Sequence, residues 1–344
     1  MDLPTISIIS LVYNPPLDMF KMSLESIKSQ RYLKDHIEHL VMDGGSTNGS
    51  PEMAKKYGCT VYSMPELLYN GEGRKGIGIS RAKNDIVAFI EADNILVGKD
   101  WFMRMVEPFI KDRRIVGTFS MYNSYKQSMP ALTRYCALIG VNDPAIFYLG
   151  KSEKLTRYQK EYDKGTILSR TRSFTTVRFT RDTLPTIGDN GHMVLRRLIQ
   201  SVNSKPKHFL HTDAFAKLLA KKHDTYGVVR NSIIHVTGSN IWGLYKRRIF
   251  YKNRFYDYNK AHRSYYVFNP HSKRDRWLLI RFIIYSLTLV EPIALSIRGF
   301  ISVHDIAWFM HPIVCVVAVL SYGLSELRLF WLTYIMRVSN KSGS

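Results

Sequence analysis

The alternation within the first 95 residues restricts the fold more than any other feature of this 344-residue chain. Residues 6–12 (ISIISLV) form a short β-branched run, as in a strand covered on both faces. Residues 17–31 then place Leu17, Phe20, Leu24 and Ile27 at helical spacing behind Pro15-Pro16. Strand character returns at 37–42 and stops at Asp43-Gly44-Gly45-Ser46-Thr47, a turn that can also cap a following helix. It returns again at 59–63 and 85–90, with a helical stretch at 76–83 between them. Strands separated by helices predict an α/β fold with a doubly wound, mostly parallel sheet. Ligands of such sheets gather beyond the carboxyl ends of the strands. Asn14, Asp43 and Asp93 all fall there.

Two further regions follow. Residues 96–245 are mixed: a polar, Tyr-rich stretch (150–182), helices expected at 191–203 and 213–222, and a strand over 226–236 with His235 at its end. From residue 246 the character changes. The chain carries a net charge of +21, and the first 95 residues hold 10 basic and 12 acidic side chains, leaving 39 basic against 16 acidic in the rest. Residues 246–281 contain 11 basic side chains, two acids (Asp257, Asp275) and interleaved aromatics from Phe250 to Trp277. Two apolar runs come next: 277–297, interrupted by Arg281, Glu291 and Pro292, and 306–324, interrupted by His311. A spanning helix needs about 20 apolar residues. The basic outer flanks fit a transmembrane hairpin with both ends cytoplasmic; interfacial or core helices share the pattern. The expected plan is a catalytic-type domain at 1–245 (halves 1–95 and 96–245), a basic-aromatic juxtamembrane segment at 246–276, and two apolar helices at 277–338, making a C-terminal helical membrane-associated region.

A composition of 45% hydrophobic and 22% charged residues excludes a disordered or fibrous chain. Cys59, Cys136 and Cys315 are odd in number, far apart and without a C-x-x-C, which points to a reducing compartment and away from a disulfide scaffold or zinc knuckle. The start, MDLPTISIISLVYN, lacks the basic and long apolar stretches of a secretory signal, so the N-terminal part is expected in the cytoplasm.

Three patterns carry chemistry. Asp43, beside a Gly-rich turn, can accept a hydrogen bond from a base N–H or a ribose hydroxyl, although ordinary turns use the same residues. Glu91 and Asp93, at i and i+2 on a strand end, point to one side. Hard oxygen ligands there suit Mg²⁺ or Mn²⁺ bridging a diphosphate; a solvated acidic turn has the same composition. The basic-aromatic stretch fits nucleic acid, or anionic membrane lipids together with the phosphate of a lipid-linked acceptor. Its place directly before the apolar runs favours lipid. No helix-turn-helix, zinc-finger or RRM pattern is present, so no nucleic-acid partner is expected.

Taken together, ISIISLVYNPPLDMFKMSLESIKSQ, IEHLVMDGGSTNGS and GISRAKNDIVAFIEADN resemble family 2 glycosyltransferases of the GT-A fold. The resemblance is close in order and spacing over residues 5–95 and weaker over 96–240. It implies an inverting enzyme that moves a sugar from a nucleoside-diphosphate sugar; the basic and apolar tail adds a membrane location, with the catalytic domain on the cytoplasmic face and a polyprenyl phosphate or lipid-linked saccharide as the expected acceptor. By this resemblance Tyr13, Asn14 and Asp43 would hold the nucleoside. Asp93 would be the metal-binding end of the family's D-x-D motif for Mn²⁺ or Mg²⁺, with His235 a further ligand. The chain departs from the pattern at Glu91, which replaces the first Asp, and at Pro15, where many members carry an acid. Arg74-Lys75-Gly76-Ile77-Gly78 replaces A-R-N-x-G; Lys75 could still reach a phosphate. The family's base sits in an E-D pair opening a helix. Here His211-Thr212-Asp213 has that layout, 22 residues before His235. Asp213 is the expected base, and Asp189, in the Gly-flanked loop 187–191, is its rival; each could also be a helix N-cap. Lys246, Arg247 and Arg248 are expected to hold the acceptor or lipid phosphate. A nucleotidyltransferase on a similar fold and a nucleic-acid-binding protein stand as the alternatives.

Overall fold

The computed structural model describes residues 3–238, 240–253 and 263–342. Of the basic-aromatic stretch, Arg254, Phe255, Tyr256, Asp257, Tyr258 and Lys260 lie outside the described residues. Strand β1 (Ile6–Val12) runs parallel to β2 (Ile37–Asp43) and β4 (Ile86–Phe89), and β2 runs parallel to β3 (Thr60–Ser63). Helices α1 (Leu17–Lys28), α2 (Ser50–Lys56) and α3 (Gly71–Arg81) make the crossovers. Ile6 and Ile8 join the core on one face of the sheet while Ile9 joins the core on the other. Burial on both faces is what a run this rich in β-branched residues suggests.

The chain continues through β5 (Asn94–Leu96), α4 (Trp101–Lys111), β6 (Gly117–Ser124), α5 (Ala131–Ile139) and α6 (Pro144–Tyr148). It then forms β7 (Thr166–Arg170), β8 (Phe174–Arg178), β9 (His192–Leu195), α7 (Arg196–Ser201), α8 (His211–Ala220) and β10 (Thr225–His235). The sheet order is β3-β2-β1-β4-β9-β6-β10-β8-β7, with β5 on β10. Its first four strands are parallel; β9 lies antiparallel between β4 and β6. The helix expected at 191–203 is therefore strand in its first half. His192, Met193 and Val194 are fully buried between two strands, and tertiary pairing overrides the helical pattern until Arg196. The polar stretch at 150–182 holds the β7–β8 hairpin, whose outer strand is a largely exposed edge and lacks a burial signal.

The C-terminal region comprises α9 (Ile241–Tyr251), α10 (Lys273–Thr288), α11 (Val290–Ser302) and α12 (His311–Ser342). The apolar run 277–297 is not one straight helix: α10 and α11 meet at 82°. The cause is Pro292. Its ring excludes a helical carbonyl four residues earlier, at Thr288, where α10 ends. Leu289 absorbs the turn at φ 62°. Helix α12 with its lead-in is long and apolar enough to cross a membrane over Ile306–Trp331. Its first turns, however, pack on the α/β body: His311, Val314, Cys315 and Ala318 are fully buried among Leu132, Tyr135, Cys136 and Tyr148. The Tyr135 hydroxyl lies 2.8 Å from His311 Nδ1 and that of Tyr148 lies 3.0 Å from Nε2. Tyr148 also donates to Glu291 of α11. All three cysteines are buried and free.

Candidate active site

The site begins where β4 ends. Strand β5 turns back to pair antiparallel with β10, setting His235 opposite Asn94. The backbone N–H of Val236 donates to the Asp93 carbonyl at 2.9 Å. Two residues 142 positions apart are thereby joined: Asp93 Oδ2 and His235 Nε2 are 3.3 Å apart, both partly accessible. Cis ligands at about 2.1–2.2 Å from one small cation lie roughly 3 Å apart, so the spacing fits. Asn142 Nδ2 lies 3.1 Å from His235 Nδ1, and Thr237 donates to Asn142 Oδ1. With the amide donating, the ring proton faces Asp93. Turning the amide over would place the proton on Nδ1 and free Nε2 as a ligand.

A second cluster sits beside the first. The Lys75 ammonium, almost wholly buried, contacts Asp189, lies 3.1 Å from Glu91 and 4.0 Å from Glu72. Burial opposes its charge, but the three carboxylates hold it well above the ordinary lysine value. Glu72 accepts from both the backbone N–H and Nδ1 of His211, each at 2.8 Å, and His211 Nε2 is 3.4 Å from Asp189. Burial pushes the Asp189 carboxyl up, yet His211 and Lys75 outweigh it and leave it well below its ordinary value. Glu72 is lowered by the same two cations against burial. Glu91 is raised, because burial exceeds the attraction of Lys75. His211 is raised: burial disfavours its charge, but Asp189 and Glu72 prevail. Ligand atoms of Glu72, Asp189 and His211 lie within 4.8 Å of one another. A cation there would meet the fixed ammonium of Lys75. Asn94 Nδ2 joins the clusters, donating to Asp93 Oδ1 at 3.0 Å and to Asn190 Oδ1 at 2.9 Å.

Glu91 accepts from the Leu11 N–H at 2.9 Å, so it braces β1 and Lys75. Lys75 is held by carboxylates and is not extended toward a phosphate. Asp43 is buried and accepts from Gly45 N, Ser46 N and Ser46 Oγ of its own loop. Asn14, at φ 42°, accepts from Thr47 N and pins the same loop. Tyr13 is exposed beside it. These three cluster at the β1 and β2 ends but do not line the main cleft. Asp213 does not line it either. Both its oxygens accept from Arg263 Nε, at 2.9 and 2.8 Å, and Oδ1 also accepts from Tyr265 N at 3.0 Å. Its carboxylate is buried and bonded to Arg263 and to the Tyr265 backbone. Asp189 does reach the cleft, with its side chain 39% exposed.

The cleft, of about 2460 Å³, runs from Glu91, Asp93 and Asp189 past Arg247, Arg248 and Lys252 to Leu279 and Phe282 of α10 and Val319 and Tyr322 of α12. Arg247 Nη2 donates to the Thr237 carbonyl at 3.4 Å, two residues from His235. Lys252 pairs with Glu326 of α12 at 2.7 Å. Helix α9 and the Lys252 that follows it thus carry basic side chains from the carboxylates to the apolar helices. Lys246 is exposed and outside the cleft wall. Sequence reasoning missed Glu72 and Asn142, counted Lys252 only within the basic stretch, and named His211 only as Asp213's neighbour. Glu72 and Lys75 at i, i+3 on a helix were a visible signal; the tie to His211, 139 residues away, was not.

The fold is that of GT-A glycosyltransferases. A family model described as "Glycosyl transferase family 2" matches residues 7–184, over half of the chain. The chain belongs to this family. It is 34% identical over 96 residues, 26% of its length, to glycosyltransferase AglE of Haloferax volcanii, and 28% identical over 97 residues, 27% of its length, to the putative glycosyltransferase EpsH of Bacillus subtilis. The matches span 31% and 27% of those proteins, so the chain covers under a third of the curated relatives it resembles. Among solved structures it is similar to the mannosyltransferase PcManGT from Pyrobaculum calidifontis, in complex with GDP-Man and Mn²⁺: TM-score 0.55, 13% identity, 94% of this chain and 87% of that one. It is also similar to GalNAc-T7 with UDP, GalNAc and Mn²⁺: TM-score 0.50, 14% identity, 77% of this chain and 53% of that one. At these identities the likeness is one of fold.

Proposed function

We propose that this chain transfers a hexosyl group, with inversion, from a nucleoside-diphosphate sugar to a hydroxyl of a lipid-linked saccharide at the cytoplasmic face of a membrane rich in anionic lipids. The reading rests most on the continuity of the cleft, from carboxylates through basic residues to apolar helices. A lipid-linked saccharide has the same order: neutral sugar, phosphate, hydrocarbon. Arg247, Arg248 and Lys252 would meet the phosphate. A bare polyprenyl phosphate suits the site less, because its reacting oxyanion would have to approach Glu91, Asp93 and Asp189.

Tyr13, Asn14 and the Asp43 loop would bind the nucleoside. Asp93 and His235 would hold Mn²⁺ or Mg²⁺. When bound, the metal would neutralise charge on the departing diphosphate. Asp189 would take the acceptor proton: it is exposed to the cleft, whereas Asp213 anchors the segment around Arg263. Its lowered pKa keeps it ionised at neutral pH and makes it a weak base, effective only once the hydroxyl becomes acidic in the transition state. Lys75, Glu72 and His211 position it.

Labelled UDP-, GDP- and TDP-sugars offered with Mn²⁺ to vesicles carrying either a lipid-linked saccharide or a polyprenyl phosphate test this reading. Label is expected in the saccharide pool, with an inverted anomeric linkage. Preferential labelling of the polyprenyl phosphate would refute the acceptor assignment, and transfer of the nucleotide would refute the reaction.

A further inference from the structure

The C-terminal helices have a topology that a transmembrane hairpin cannot have. In a hairpin the link between the apolar runs would lie across the bilayer from the catalytic body. Here that link touches the body. The Arg298 guanidinium sits 4.8 Å over the Tyr158 ring, Asp305 lies 3.5 Å from Arg134, and Trp308 packs against Tyr158 with ring centroids 6.0 Å apart. Gly299 accepts Trp308 so closely that an added Cβ would lie 2.4 Å from its ring. The beginning and end of the α10–α11 elbow are therefore on the catalytic side.

Exposed apolar side chains run along the outer faces of all three helices. Trp277, Ile280, Ile284 and Leu287 on α10, Val290, Ile293, Ile297 and Ile301 on α11, and Ile306, Ile313, Leu320 and Leu324 along α12 and its lead-in are all exposed. Spacing of three or four residues runs through the elbow, as on a helix lying at an interface. Exposed Lys273, Arg274 and Arg276 open α10, so a cationic border adjoins the apolar face. An apolar patch this extensive on one side of a body marks a partner surface. Its border suits anionic headgroups.

We infer that the α10–α11 elbow and the outer face of α12 lie in a single leaflet of an anionic bilayer, without the elbow crossing it, and that the cleft opens to that leaflet between α10 and α12. Ile283, exposed on α10, and Gly323, exposed on α12, both line the cleft, so its far end meets the apolar surface. The opening deepens the lipid-linked acceptor reading and rests on it; the docking mode does not. A lipid carrier would enter sideways while its saccharide reaches Asp93 and Asp189.

The test uses the full chain with vesicles of phosphatidylcholine alone or with phosphatidylglycerol, without donor or acceptor. Binding is expected to rise at least tenfold with phosphatidylglycerol. The Leu287→Asp/Val290→Asp variant should lose at least tenfold of it while retaining donor hydrolysis in detergent. In inverted membrane vesicles, an impermeant maleimide should label His304→Cys as readily as an exposed catalytic-domain position, Lys34→Cys. Labelling of His304→Cys only after the vesicles are opened would overturn the inference, as would binding indifferent to the elbow variant. A chain that docks as described yet ignores lipid-linked saccharides would refute only the acceptor reading.

Discussion

Asp189→Asn is expected to lower kcat for a hydroxyl acceptor by about 10²–10⁴-fold, the range lost when a general base is removed, with little change in donor KM. The amide keeps the shape and the contact surface but cannot take a proton. Asp213→Asn should behave differently. It weakens the buried bond to Arg263, and breaking a buried pair typically costs about 3–5 kcal/mol. The protein should unfold at lower denaturant but retain kcat within a few-fold where it is still folded. Steady-state rates and urea unfolding on the same preparations separate the two. A normal kcat in Asp189→Asn with a collapsed kcat in folded Asp213→Asn would exchange the roles. Because Asp189 is held below the ordinary carboxylate range, its titration should leave the rate flat across pH 5–8. An acid limb within that window would show that another group is the base.

Lys75→Met should destabilise the protein by roughly 3–5 kcal/mol at neutral pH, since it strands Asp189, Glu91 and Glu72 around a neutral side chain. The pH dependence distinguishes this from a packing defect. In the wild type, Glu72 and Asp189 are lowered in the folded state. They contribute stability above their unfolded pKa values, and that is lost as pH falls through the folded ones. Glu91 is raised and acts oppositely, gaining as pH falls. His211 is raised; its contribution is full below about 6.5 and fades as pH rises through its folded value. Lys75 is raised too, so its own contribution persists to strongly alkaline pH. Without Lys75 the carboxylates repel one another and their protonation becomes favourable. Stability of Lys75→Met should therefore rise between pH 8 and pH 5, relative to the wild type. Urea midpoints at four pH values measure it. A deficit independent of pH would mean that Lys75 serves only to fill space.

What the sequence disclosed follows from what is local. Strands β1 and β4 were legible because burial on both faces favours short runs rich in β-branched residues, and β2 because its second half is buried and apolar before the Asp43 turn. The elbow at Leu289 was not, although its cause, Pro292, stood within the run. Reading it required counting back four residues to Thr288. Strand β9 hid behind a helical pattern because its burial comes from β4 and β6, more than 70 residues away. At the site, Asp93 and His235 were each visible at strand ends, but only the β5–β10 pairing brings them together. Asp213 illustrates the converse: its spacing to His235 matched the expected base, while its partner Arg263 lies 50 residues on, in a segment whose charge pattern suggested lipid and not a carboxylate.

The most direct measurement is nucleoside-diphosphate binding by calorimetry, with and without Mn²⁺, in the wild type, Asp93→Ala and Glu72→Gln. Mn²⁺ should tighten binding at least tenfold in the wild type and in Glu72→Gln, and the gain should vanish in Asp93→Ala while metal-free binding persists. An Mn²⁺ gain that survives in Asp93→Ala and is lost in Glu72→Gln would contradict the account and move the cation to the cluster around Lys75.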